Sequence, residues 1–122
     1  MKKDPRIFLG HILDCVADIE EYVETISQHD FLHDKKTQDA TMRKLQIIGE
    51  AVKNLPLPFR KKHTEIDWKE IAGMRDILIH EYFGIHLKIV WTTIKKDLPK
   101  LKKAILELVS SFDEKSLQLR IK

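Results

Sequence analysis

The stretch I-D-W-K-E-I-A-G-M-R-D-I-L-I-H-E-Y-F-G, Ile66 to Gly84, decides the fold. Asp67 reads as an N-cap, Glu70 three residues later as its capping-box partner, and Ile66 with Ile71 as a hydrophobic staple. These signals start a helix at Trp68. Gly84, just past Phe83, is a natural left-handed stop. Between them Ile77, Leu78 and Ile79 supply core-type side chains, yet Arg75, His80 and Tyr82 fall within the same eight positions.

The flanking sequence repeats the helical pattern. On the N-terminal side, Asp4 caps and Pro5 opens a helix whose apolar residues Leu9, Ile12, Val16, Ile19, Val23 and Ile26 recur every three or four positions. Ser27 to Thr37 breaks the period and reads as a solvated connection, with Asp34 or Thr37 helping to cap the next helix. That second helix carries Leu45, Ile48, Val52 and Leu55 and ends at L-P-L-P. Beyond Gly84, Leu87, Trp91, Ile94, Leu98, Leu101, Ile105, Leu108 and Phe112 form a seam that crosses Pro99 in phase, so that region is one kinked helix or two nearly collinear ones. The tail from Asp113 is a fraying end, a short arm or a dimer contact.

With 122 residues, 43% hydrophobic and 34% charged, and only four glycines and four prolines, the chain suits a single all-α domain over residues 1–122. The architecture expected is a bundle of four to five helices, with stripes broad enough for a second copy to cover part of one. The net charge of +3 permits contact with nucleic acid without requiring it. The lone cysteine, Cys15, sits in a helical apolar pattern and reads as a small hydrophobe, which fits a reducing compartment. No run approaches the roughly 18 apolar residues of a membrane span, and the start M-K-K-D-P-R lacks a signal-peptide centre. A cytoplasmic protein is expected.

Three motifs bear on chemistry. H-D-F-L-H-D places His29 and His33 four apart beside Asp30 and Asp34, an arrangement that would present metal ligands on one face if it were helical. No further ligands occur at suitable spacing, and neither a metal nor a cofactor is expected. The basic runs Arg60 to His63, Lys95 with Lys96, and Lys100 to Lys103 would suit a phosphate backbone, though such runs are more often solvated helix faces. The third motif is Arg75 to Tyr82. At about 100° per residue, Arg75 and Tyr82 share a helix face, Asp76 and His80 share another, and Arg75 stands about 140° from His80. Either the helix loosens near Gly84 or a second copy supplies the partners. Histidine titrating near neutrality and an arginine fork over phosphoryl oxygens are the tools of metal-independent RNA cleavage by a ribose 2′-hydroxyl. The plainer reading is a surface ion pair of Arg75 with Asp76 and a hydrogen-bonded histidine near a helix end.

I-A-G-M-R-D-I-L-I-H-E-Y-F-G-I, Ile71 to Ile85, closely resembles the signature of the HepT-like group of HEPN-domain proteins, with R-x-x-x-x-H-x-Y at Arg75, His80 and Tyr82. L-Q-I-I-G-E-A-V-K-N-L-P, Leu45 to Pro56, and V-W with D-L-P-K-L, between Val90 and Leu101, extend the resemblance along nearly the whole chain. It implies an all-α fold that dimerises, and a toxin ribonuclease acting on RNA and encoded beside a nucleotidyltransferase antitoxin of the MntA kind. Arg75 and His80 would be the catalytic pair and Tyr82 the tyrosine modified with AMP. Asp76 stands where the broader group often carries asparagine, in a supporting position from which it could orient His80 or weaken RNA binding. The alternatives are a non-catalytic subunit that binds a nucleotidyltransferase or a nucleotide, and a purely structural dimer module.

Overall fold

The computed structural model describes residues 4–73 and 87–121, with side chains through Phe112. The regular structure of the described residues is helical, with no strand among them. Helix α1, Pro5–Val23, starts as its sequence dictates: the Asp4 carboxylate accepts from the Arg6 backbone N–H at 3.0 Å, and Pro5 occupies the first turn, where a missing N–H costs nothing. Leu9, Ile12, Val16, Ile19 and Val23 form its buried stripe. The helix ends at Val23, so Ile26 packs against the core from beyond it.

The segment expected to be a solvated connection contains a short helix, α2, Gln28–Leu32. Ser27 accepts from the Asp30 N–H, and Asp30 accepts from the Ser27 N–H, each at 3.1 Å, which closes a full capping box. The turn exists to bury Phe31, fully enclosed and 5.3 Å from the Trp91 ring. Asp34 caps α3, Lys35–Asn54, as the sequence suggests, accepting from the Thr37 N–H at 3.2 Å and the Thr37 hydroxyl at 2.6 Å.

Leu45, Ile48 and Val52 of α3 lie against α1, and Lys44 reaches Asp18 at 2.9 Å across that contact. L-P-L-P both ends α3 and opens a further short helix, α4, Leu57–Lys62. Helix α5 is described over 68–73. The last helical run is continuous: α6, Leu87–Thr92, passes through a π-helical turn, Thr93–Asp97, into α7, Leu98–Ile121. Of the two alternatives the sequence left open, one helix carrying a local defect is the outcome. Straight α-helix would drive the Pro99 ring into the carbonyl of Lys95. The wider turn avoids this, with the Leu98 N–H bonding to Thr93 O, five residues back. Thr92 and Thr93 add to the loosening by turning their hydroxyls onto the carbonyls of Lys88 and Ile89, each at 3.0 Å.

The π turn also redirects the buried side. Trp91 of α6 meets α2, whereas α7 lies along α1 and ties to it through Lys102 and Glu20 at 3.1 Å. Among the described residues, no helix is long and apolar enough to cross a membrane.

Candidate functional site

The candidate site grows from the first turn of α5. Asp67 accepts from the Glu70 N–H at 3.0 Å, and the backbone N–H of Ile71 bonds to Asp67 O at 3.3 Å, so the helix begins at Trp68 as the sequence requires. The cap is one-sided: among the described residues the Glu70 carboxylate makes no bond back to Asp67. Ile66 and Trp68 are buried and Ile71 partly so, which seats both halves of the expected staple on the core.

The anchoring goes deeper than a cap. The Trp68 indole N–H donates to His63 O at 2.8 Å, stitching the start of α5 to the end of α4. Phe59 of α4 lies 6.2 Å from Trp68, 4.6 Å from the His63 ring and 6.1 Å from Phe112 of α7. Four rings from three helices therefore hold α5 at its origin, seven residues before Arg75 in the sequence. Face-offset and edge-on aromatic pairs of this kind contribute beyond their buried area. His63 also faces Glu65, with Nδ1 3.4 Å from the carboxylate. The sequence carries little signal of this aromatic clamp beyond W-K-E after a capping residue with F-R-K-K-H upstream.

Arg75, Asp76, His80, Tyr82 and the stop at Gly84 lie outside the described residues. Gly73, two positions before Arg75, is the last described residue of α5, and nothing lies within 4 Å of where its Cβ would be. The described residues stop two positions before Arg75 and resume at Leu87, five positions after Tyr82.

H-D-F-L-H-D turns out to be helical enough to bring its histidines together. The His29 and His33 rings stand 4.4 Å apart, and His33 Nδ1 is 2.8 Å from His29 O. The carboxylates do not join them, because Asp30 is committed to the α2 capping box and Asp34 to the start of α3, where the Thr37 hydroxyl and then the Thr37 N–H hold its carboxyl below the usual range. Among the described residues, no group of three or more histidine, cysteine or acidic side chains converges as a metal site. Cys15 is buried in the α1 core, and burial pushes its thiol up, which leaves it a poor nucleophile. Of the basic runs, Arg60 to Lys62 form the last turn of α4, where cations complement exposed carbonyls, and Lys95 lies over the Trp91 ring at 4.8 Å.

The described residues form an all-α bundle, and the sequence carries R-x-x-x-x-H-x-Y after an anchored helix start. The chain belongs to the family described as "Ribonuclease HepT-like", whose model matches residues 12–108. It is 49% identical over 102 residues to "Probable ribonuclease HepT" of Thermococcus cleftensis, covering 84% of this chain and 93% of that protein. A protein of Caldanaerobacter subterraneus, provisionally named as an RNase, is 52% identical over 107 residues, covering 88% of this chain and 96% of its own. A Methanocaldococcus jannaschii protein named for a gamma-glutamylcyclotransferase and, provisionally, an RNase is 50% identical over 114 residues. The match takes in 93% of this chain but spans about half, 51%, of that longer protein. No solved structure matches the chain.

Proposed function

We propose that this protein is a metal-independent endoribonuclease in which Arg75 and His80 act on the RNA phosphodiester, and that it serves as the toxin of a two-component system. The observation that carries the reading is that R-x-x-x-x-H-x-Y lies inside the span matched by a ribonuclease family, in a chain whose near-full-length relatives carry ribonuclease names. In this reading His80 transfers the proton between the ribose 2′-hydroxyl and the leaving oxygen, and Arg75 stabilises charge on the phosphoryl oxygens. Asp76, which an ideal helix would place on the His80 face, supports the pair by orienting His80 or tempers RNA binding through its charge.

A straight helix sets Arg75 and His80 about 140° apart. The reading therefore includes a homodimer, with the two motif segments about a two-fold axis and the pairs of arginines and histidines around one phosphate. The 122 residues act as one domain in the cytoplasm. Tyr82, which an ideal helix would place on the Arg75 face, is the control point: a nucleotidyltransferase partner transfers AMP to its hydroxyl, and the added nucleotide and negative phosphate block the place of the RNA backbone.

The test is cleavage of single-stranded RNA by the purified chain in excess chelator. Products ending in a 2′,3′-cyclic phosphate or 3′-phosphate are expected, and His80→Ala should slow cleavage by about 10²- to 10⁴-fold without loss of helicity. Cleavage that returns only with added magnesium or manganese would refute the mechanism. A Tyr82→Phe variant should keep most cleavage and escape AMP transfer; loss of cleavage as complete as in His80→Ala would move Tyr82 into the catalytic machinery.

A further inference from the structure

The lysines of the last helical run divide into two kinds. Lys102 is held by Glu20, and Lys95 by the Trp91 ring. Lys88, Lys96, Lys100 and Lys103 are exposed and make no salt bridge among the described residues. Between residues 87 and 112 there are six lysines and two carboxylates, Asp97 and Glu107. This stretch therefore carries a net +4, more than the +3 of the whole chain.

The π turn arranges it. In an uninterrupted α-helix, Lys88, Lys96, Lys100 and Lys103 would be spread over about 120° at 100° per residue. A π turn accommodates roughly one extra residue, which rotates everything after it back by about 100°. Lys88, Lys100 and Lys103 then fall within roughly 60° of one another at the same 100° per residue, and Lys96, inside the turn and carried through most of the shift, falls among them, on the side of α7 turned away from buried Leu101, Ile105 and Leu108. The row covers about 20 Å, at a rise of about 1.5 Å per residue. Its members recur at one- to two-turn intervals, the scale on which phosphates recur along an extended single strand. Glu107, a turn beyond Lys103, ends the row. An open depression of about 460 Å³ lies beside that end, lined by Pro99, Lys102, Lys103, Leu106, Glu107 and Ser110 among others, with Leu106 45% exposed and able to lie against a base.

We infer that the Lys88–Lys96–Lys100–Lys103 row is a track for single-stranded RNA, set straight by the π turn and following the candidate motif in sequence. The link is through the chain: α6 starts at Leu87, five residues after Tyr82, and the row begins at Lys88, eight residues from His80. The track extends the ribonuclease reading and rests on it for the identity of the polyanion. It binds three or four phosphates by charge and is indifferent to base sequence.

The test uses the full chain carrying His80→Ala, to prevent cleavage, and a 5′-labelled single-stranded RNA 20-mer in excess chelator. Affinity is read by fluorescence anisotropy between 50 and 200 mM KCl. Adding Lys96→Gln and Lys103→Gln should weaken binding at least about tenfold at 50 mM, and should reduce the slope of log affinity against log salt by about 1.4, near 0.7 per lysine. Lys35→Gln with Lys36→Gln, an exposed pair at the start of α3, should change neither quantity. An unchanged slope in the row variant, an equal loss in the α3 control, absence of RNA binding by the His80→Ala parent, or retention of an acidic polypeptide in place of RNA would each overturn the track. Cleavage by the His80-containing chain is scored separately. RNA held through the row without cleavage would refute the ribonuclease reading alone, whereas cleavage with row-independent binding would refute the track alone.

Discussion

The contact of α1 with α3 and the outward face of α6 and α7 use charge in opposite ways. Across the first, Lys44 meets Asp18 over a seam in which Leu9, Ile12, Ile19 and Ile48 are fully buried. The pair is partly exposed, so water screens it and the apolar seam supplies the stability. Asp18 does hold the Lys44 ammonium above the ordinary lysine value through their hydrogen bond. Along the second, four lysines stand in a row with no salt bridge among the described residues. Charge that is paired between elements aligns the bundle, while charge left unpaired repels its neighbours and is neutralised only by a partner. The comparison separates substitutions that cost stability from substitutions that cost binding.

The sharpest break in that division comes from Phe31. It is fully buried between α2 and the Trp91 ring, and replacing it by alanine leaves a cavity that neighbouring helices cannot wholly close. Phe31→Ala should lower the free energy of unfolding by about 3–5 kcal/mol in urea titration, whereas Lys96→Gln should leave the midpoint where it is. A loss under about 1 kcal/mol for Phe31→Ala, well below the usual cost of such a truncation, would show that α2 is not integral to the fold.

Phe31 also shows what the sequence conceals. Helix α2 is too short for a 3.6-residue period to register, and its one buried aromatic looks like an isolated residue in a polar run. S-Q-H-D was nonetheless a legible capping box, closed by aspartate where glutamate is usual. L-P-L-P was legible as a stop for α3, but a proline near a helix start is as ordinary as one after its end, and α4 arises from the second property. The long helices α1 and α3 and the start of α5 were legible because caps and apolar spacing agreed. The π turn was not, since the apolar seam crosses it without a visible break. The candidate residues Arg75, His80 and Tyr82 stood out by type, yet R-x-x-x-x-H is too short to assign chemistry. Family resemblance supplied that reading, and it concerns residues outside those the structure describes.

A smaller effect tests whether the aromatic clamp or the cap holds α5. Asp67→Ala removes the acceptor for the Glu70 N–H and should cost about 1 kcal/mol. Because Trp68 still donates to His63 O, the helix should keep its start, and cleavage should fall no more than severalfold. Inactivation as deep as that of His80→Ala, with the fold intact, would mean that the cap and not the clamp sets the direction of the motif.

Acid should expose a smaller difference still. The Asp34 carboxyl is held below the usual carboxylate range by the Thr37 hydroxyl and then the Thr37 N–H. Its contribution is thus fully present above the ordinary carboxylate pKa and is lost as pH falls through the lowered folded value. The melting temperature of Asp34→Ala should lie a few degrees below that of the parent at neutral pH, and the gap should narrow as the solution is acidified past the carboxylate range. A gap that widens in acid would reverse the assignment.

The smallest effect has the opposite sign. Gly10 sits inside α1, where glycine's freedom in the unfolded chain is a cost with no turn or positive φ to justify it. Nothing lies within 4 Å of the Cβ that alanine would add, so the methyl group enters open space. Gly10→Ala should therefore raise stability by about 0.4–1 kcal/mol, chiefly by restricting the unfolded chain. The substitution also sharpens the contrast between the two faces, because it adds neither charge nor contact and should leave the salt dependence of RNA binding unaltered. Destabilisation that grows with protein concentration would contradict this, and would mean that a second copy packs its backbone against α1 at Gly10, on the side where Ile7 is 55% exposed.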